Sequence, residues 1–232
     1  LGLSIDELMA LGHEPGTPEG AVFNMAAMGL RLSGRSNGVS RLHGEVSRRM
    51  FATLWPDLPP EEVPIGSVTN GVHARTWTSA EMTRLFDRVV GADWHLADPA
   101  TWRTIEEVPD RELWKIRRAC KERLVTFARH RLRQANRERG VAESQLGWID
   151  DALDPEVLTI GFARRFAAYK RAYLLFRQPE RLRSLLLSSE RPVQILFAGK
   201  AHPADEQGHH LLQQVAAAAA DLELRHRLVL LE

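Results

Sequence analysis

Apolar positions in this 232-residue chain change rhythm partway along. Up to about residue 150 they recur mainly at helical spacing; beyond that they gather into short unbroken runs. Residues 19–33 are rich in Ala and Met and follow the Thr17-Pro18 punctuation, which predicts a helix. The polar stretch Ser33-Gly34-Arg35-Ser36-Asn37-Gly38 breaks it. Val39, Leu42, Val46 and Met50 then return every three or four residues, predicting a second amphipathic helix to about Leu54. Pro56, Pro59, Pro60 and Pro64 make residues 55–64 a rigid connection that cannot be helix interior. Residues 65–68 read as a short extended run that ends in the turn signal Asn70-Gly71. Further helices are predicted over 79–90 and 111–139, the second with Leu113, Ile116, Cys120, Leu124 and Phe127 on one face.

From residue 157 the pattern is different. Val157-Leu158-Thr159-Ile160-Gly161-Phe162-Ala163 is a continuous apolar run of strand length, followed by a predicted helix over 171–188. Residues 192–198 form a second run, 205–220 a second helix, and 228–231 the start of a third strand. Strands apolar on both faces, alternating with helices, are the signature of a parallel doubly wound sheet. The predicted class is therefore α/β, with three stretches: a mostly helical 1–70, a hinge and helical segment at 71–150, and a Rossmann-like βαβαβ portion at 151–232.

Charge narrows the partners. The chain has 31 basic and 30 acidic residues, so no global field steers it onto nucleic acid or an anionic membrane. It has no apolar run of about 18 residues that would span a bilayer. The lone Cys120 permits no internal disulfide and suits a reducing, cytoplasmic setting; its place on the apolar helix face predicts core packing. Residues 111–139 hold eleven Arg or Lys against three Glu, read as a solvated face balanced by acidic groups elsewhere. The chain opens without Met and closes inside an apolar run, so the expectation is a piece of a longer polypeptide.

In open α/β sheets, ligands bind beyond the carboxyl ends of the strands, and two segments fall there. After the first strand come Arg164, Arg165, Lys170 and Arg171, four cations within eight residues. Arginine offers a planar fork and lysine a compact charge for phosphoryl oxygens. After the second strand come Gly199, which permits close backbone approach, and Lys200. Neither segment is a P-loop or a dinucleotide fingerprint. His202, His209 and His210 beside Asp205 and Glu206 lack zinc-ligand spacing, so no metal site is expected. Trp77 is a candidate for lining a sugar site, with packing the plainer alternative.

Four strings, in order, carry a family resemblance. Asn37-Gly38-Val39-Ser40-Arg41-Leu42-His43-Gly44-Glu45 is similar to the Asn-Gly-Val helix of α-glucan phosphorylases. Thr69-Asn70-Gly71-Val72 with Trp77 resembles their Thr-Asn-Gly segment. Arg164-Arg165 with Tyr169-Lys170-Arg171 resembles their basic pair followed by Tyr-Lys-Arg, and Gln194 to Pro203 resembles the next strand and its Gly-Lys loop. The versions here are nearer the bacterial and archaeal branch than the animal one.

The resemblance implies a glycosyltransferase-B architecture, with this chain covering the helical end of the N-terminal lobe and the first half of the C-terminal lobe. It implies pyridoxal 5′-phosphate used through its phosphate group, α-1,4-glucan and inorganic phosphate as substrates, and release of glucose 1-phosphate with retained configuration. Two phosphates of about −1.5 charge each, roughly 5 Å apart at an effective dielectric of about 20, repel by roughly 7 kcal/mol, which nearby cations must offset. The resemblance assigns Arg165 and Lys170 to the substrate phosphate, Arg164 to the cofactor phosphate, and Lys200 to the same crevice. Arg164 departs from the animal members, which have lysine there, and Met82 stands where they present an asparagine toward the sugar. The lysine that would bind the cofactor covalently falls after the third strand, outside this chain, so the segment alone is expected to be inert. Homo-oligomer formation stays open. Two other readings compete: a nucleotide-sugar-dependent glucan synthase-type glucosyltransferase, and a noncatalytic glucan-binding module.

Overall fold

A computed structural model describes residues 2, 4–16, 18 and 22–231. The chain divides into two compact units, Leu1–Ala74 and Arg75–Glu232.

In the first unit, α1 (Ile5–Leu11) begins at Ser4, whose hydroxyl and the Glu7 carboxylate form a reciprocal capping box. The helix predicted over 19–33 is present as α2 (Met25–Leu32); residues 19–21 lie outside the described residues. Asn24 starts α2 by accepting from the N–H groups of Ala26 and Ala27. The polar stretch before Val39 supplies β1 (Ser36–Gly38), which pairs in parallel with β2 (Ile65–Ser67). No turn forms at Asn70-Gly71; the pairing continues from Val68 N–H to the Gly38 carbonyl and from Asn70 N–H to that of Val39.

The second predicted helix is α3 (Arg41–Met50), capped by Ser40. Its expected apolar stripe is solvent-facing: Val39, Leu42, Val46 and Met50 are all exposed. The helix instead seats small residues, Gly44 and Ser47, against the two strands. Backbone proximity decides this. A Cβ on Gly38 would stand 2.4 Å from the Gly44 nitrogen, and one on Gly44 would stand 2.9 Å from the Gly66 carbonyl oxygen. Arg48 ties the same layer by donating to the Ile65 carbonyl at 2.9 Å.

The second unit starts with one turn, α4 (Ala74–Trp77), then α5 (Ala80–Val89) and the long α6 (Asp110–Glu138). Three parallel strands follow, β3 (Leu158–Ala163), β4 (Val193–Ala198) and β5 (Leu228–Leu231), side by side in that order. Helix α7 (Pro179–Leu186) links β3 to β4, and α8 (Glu206–Ala220) links β4 to β5. Alternate residues of the strands feed two cores. Leu196 and Val229 pack with Val125, Ala128 and Leu132 of α6 on one face. Ile195, Phe197 and Leu228 pack with α7 and α8 on the other. The mixed α/β class with a parallel sheet is the one that the runs and helices predicted.

Three expectations are corrected. The helix predicted over 171–188 is broken: residues Ala172–Arg177 are 3-10, and α7 begins at Pro179, which has no N–H to continue a helix through. Strand β3 is not buried on both faces; it is bonded on one side only, and Leu158 and Ile160 are exposed. On α6 the buried face is Val125, Ala128 and Leu132, while Leu124 and Phe127 are exposed. The helix packs through its C-terminal half, where residues 146–153 and the sheet meet it, so the sheet-facing stripe is set there. Cys120 is only half-buried, with Sγ 3.6 Å from the Arg123 guanidinium and 4.0 Å from the Glu81 carboxylate.

The basic face of α6 is answered by carboxylates from other segments. Arg123 makes a forked pair with Glu81, holding that carboxyl down at about 2. Arg118 meets Glu156, and Arg133 meets Glu143 and Asp150. These pairs lie at the surface, where water screens them and each contributes little to stability. They bear out the solvated-face reading. Among the described residues no helix is long and apolar enough to cross a membrane.

Gln194 is fully buried within β4, a polar side chain the apolar run conceals. Its Oε1 accepts from Asp154 N–H at 2.8 Å, and its Nε2 donates to the Asp154 carbonyl at 2.8 Å and to Thr159 Oγ1 at 2.7 Å. The amide thus acts as a short piece of strand, pinning the entry to β3. Gln194→Leu keeps the volume but orphans Asp154's two backbone groups, at a cost of about 2–4 kcal/mol. Urea denaturation followed by circular dichroism should show that loss; an unchanged midpoint would reject the role.

Candidate functional site

Parallel pairing puts the ends of β3 and β4 at one level, with Ala163 opposite Ala198. Both loops then leave from the same edge, and three contacts hold them together. Phe166 N–H donates to the Lys200 carbonyl at 3.0 Å, and Phe166 pairs with Ala201 as an isolated parallel bridge. Phe166 is completely buried, its ring grouped with Phe162 and Phe197. Burying such a side chain stabilises by about 2–3 kcal/mol, enough to hold the loop backbone against the sheet. Gly199 makes the third contact. Its φ is +154°, and a Cβ there would lie 2.1 Å from the Arg164 carbonyl oxygen, so only glycine allows this approach.

With the backbone fixed, the loop's side chains are displayed outward. Residues Ala168–Lys170 make a 3-10 turn, which brings positions 165 and 169 onto one side. Arg165 Nη2 donates to the Tyr169 hydroxyl at 3.0 Å. The Lys170 ammonium lies 4.7 Å from the centroid of the Tyr169 ring. Tyr169 therefore gathers Arg165 and Lys170 around itself. The adjacent guanidinium favours the phenolate, so Tyr169 is pulled below the ordinary tyrosine value, first by the hydrogen bond and then by the Arg165 charge.

Arg164 is exposed beside this pair, its carbonyl covered by Gly199. Lys200 shares the stitched backbone, but its side chain lines a separate groove of about 500 Å³ with Arg131, Glu138, Arg139 and His209. The structure thus brings Arg165 and Lys170 together and turns Lys200 elsewhere. Among the described residues, none of Arg164, Arg165, Lys170 and Lys200 is ion-paired with a carboxylate. The nearby Asp205 is engaged as the cap of α8, accepting from Gly208 N–H at 2.8 Å. The charge of Asp205 still reaches Arg165 without forming an ion pair, and a buried loop anchor with outward cations free of direct carboxylate contact is suited to gripping a multiply charged oxyanion.

Other candidates lie apart. His202 accepts from Ala204 N–H in a local turn, and His210 meets Gln214 within α8. No group of three metal-ligating side chains occurs among the described residues. Trp77 is 80% exposed and shares a groove of about 520 Å³ with Met82, Phe86 and Cys120. Tyr169, which organises the site, was named in the sequence only as part of a motif. The signal that could have found it is adjacency: Tyr169 stands beside Lys170 and four residues from Arg165 within one short loop.

Fold and site define an α/β chain whose parallel strands end in a stitched pair of cation-bearing loops. The model of the carbohydrate phosphorylase family matches residues 17–228, and the chain belongs to that family. It is 50% identical over 230 residues to a glycogen phosphorylase of Mycobacterium tuberculosis, covering 99% of this chain and 26% of that protein. It is 40% identical to a glycogen phosphorylase of Aquifex aeolicus, covering all of this chain and 33% of that protein. A maltodextrin phosphorylase of Thermococcus litoralis is 36% identical, with 27% of its length covered. The chain thus spans about a quarter to a third of the length of these relatives.

The Arg165–Tyr169 contact makes its own check. In a pH titration read by tyrosine NMR, Tyr169 should ionise below the ordinary tyrosine value, and Arg165→Ala should move it upward. A titration indifferent to Arg165→Ala would mean the hydrogen bond is not formed.

Proposed function

We propose that the polypeptide to which this chain contributes is an α-glucan phosphorylase: inorganic phosphate cleaves the terminal α-1,4 linkage and glucose 1-phosphate is released with its configuration retained. The observation that carries the reading is the meeting of Arg165 and Lys170 at Tyr169 without a carboxylate partner. The glycogen and maltodextrin phosphorylases among its relatives support the same substrate class.

On this reading residues 1–70 end the N-terminal lobe of a glycosyltransferase-B architecture, 71–150 cross the hinge, and 151–232 begin the C-terminal lobe. Arg165 grips two oxygens of the substrate phosphate with its fork, and Lys170 adds a point charge beside it. Together they lower the barrier by stabilising charge that stays on the phosphate as it attacks and as the sugar oxygen departs. Arg164, next along the loop, faces the second anion. Lys200 would reach the same crevice by a change of rotamer, its backbone being fixed there through Phe166.

Pyridoxal 5′-phosphate, when bound, supplies a phosphate group beside the substrate's. The residues present fit its phosphate end: Arg164 and Arg165 are exposed and, among the described residues, make no ion pair with a carboxylate, so their forked donors are open to an anion. The reading places the protein in the cytoplasm, with glucan and phosphate as partners and neither nucleic acid nor membrane among them.

Arg165→Ala in the full-length enzyme should raise the phosphate concentration needed and lower turnover by at least about 10²-fold, as loss of a preorganised charge stabiliser does. Initial-rate kinetics against phosphate test it. Kinetics like those of the parent protein would remove Arg165 from the site.

A further inference from the structure

We propose that Asp205, in the loop after β4, is a tuning residue that limits how tightly an anion is held at Arg165. It acts through space, as a fixed negative charge that repels the anion without touching it. This rests on the phosphorylase reading of the loop. On that reading the substrate phosphate and the product glucose 1-phosphate present the same anionic group, so cations that grip one also grip the other. A carboxylate in contact with the guanidinium would occupy its fork and shut the anion out. One held a short way off subtracts from the attraction and leaves the fork open.

The backbone fixes Asp205 in such a place. Its N–H donates to the His202 carbonyl at 2.9 Å, and its Oδ1 accepts from Gly208 N–H at 2.8 Å. The point that a Gly208 side chain would occupy is 2.4 Å from the Phe166 carbonyl oxygen and 3.0 Å from Asp205 Oδ2. The carboxylate and the backbone directly after Arg165 therefore border one small gap, which only glycine leaves open. Arg165 does not ion-pair with Asp205; its Nη2 donates to the Tyr169 hydroxyl at 3.0 Å. The charge is felt all the same: Arg165 is raised above the ordinary guanidinium value, chiefly by Tyr169 and in smaller part by Asp205. An anion at Arg165 meets the same field with the opposite sign.

Capping alone does not explain a carboxylate here. Asp205 starts α8, but Asn or Ser accepts the same N–H about as well. Cap and charge are thus separable by substitution, and this makes the proposal testable.

Asp205→Asn in the full-length enzyme keeps the cap and removes the charge. Initial rates at low ionic strength should show KM for phosphate lowered about 3- to 5-fold, kcat within about 2-fold, and KM for glucan in place. Inhibition by glucose 1-phosphate should strengthen by the same factor. Asp205→Ser should reproduce the effect. Salt at about 0.5 M should shrink the difference between variant and parent to below about 1.5-fold, because screening weakens a charge acting through solvent.

A phosphate KM that stays put or rises in Asp205→Asn would overturn the proposal. So would Asn and Ser variants that disagree, since cap geometry would then be the cause, or a difference indifferent to salt. Impaired phosphate kinetics in Arg165→Ala with parent-like Asp205→Asn remove the tuning role alone. Parent-like kinetics in both variants remove the phosphorylase reading of the loop and the tuning role together.

Discussion

Parallel strands deliver all their carboxyl ends to one edge, and that constraint governs how the loops of the second unit meet. Because Ala163 and Ala198 are in register, the segments after β3 and β4 emerge at the same height and must share a narrow space. The backbone of one passes so near the other that position 199 tolerates no side chain. A loop restrained in this way carries its cations at directions set by the sheet. Without the crossing at Gly199 and the anchor at Phe166, Arg164 and Arg165 would be ordinary mobile surface residues.

Charge is treated differently in two parts of one unit. Along α6, arginines find Glu81, Glu143, Asp150 and Glu156, and part of the helix's excess charge is met in local pairs. At the tip of β3 the acidic neighbour Asp205 caps α8 and acts on Arg165 only through its charge, with no ion pair between them. Folding stability gains nothing from such a cluster, since like charges repel.

Much of this was legible in the chain. The apolar runs at 157–163 and 192–198 announced strands, though only the second is buried, and the alternation with helices announced parallel order; both emerged from short-range pattern alone. What escaped had tertiary causes. The stripe Val39–Leu42–Val46–Met50 has perfect helical spacing, yet α3 packs through Gly44 and Ser47 because the strands approach too closely for larger side chains. Spacing reports which residues share a face; it does not report which face another element covers. Gln194 was hidden for a related reason, because a single polar residue in an apolar run has no meaning until its backbone partner, forty positions away in sequence, is known. The cations of the site were visible as composition, while the neutral residue between them was not.

That last gap follows from how binding sites for anions must be built. Cations advertise themselves in sequence, but cations alone define neither direction nor separation. Something must hold them, and anything acidic enough to hold them strongly would compete with the ligand. The holding groups are therefore drawn from neutral acceptors, aromatic faces and main-chain strain, each unremarkable on its own. Here they are the Tyr169 hydroxyl, the Tyr169 ring and the left-handed Arg171. A site of this type is read from sequence by its charges, and is understood only when the uncharged groups in contact with them are found.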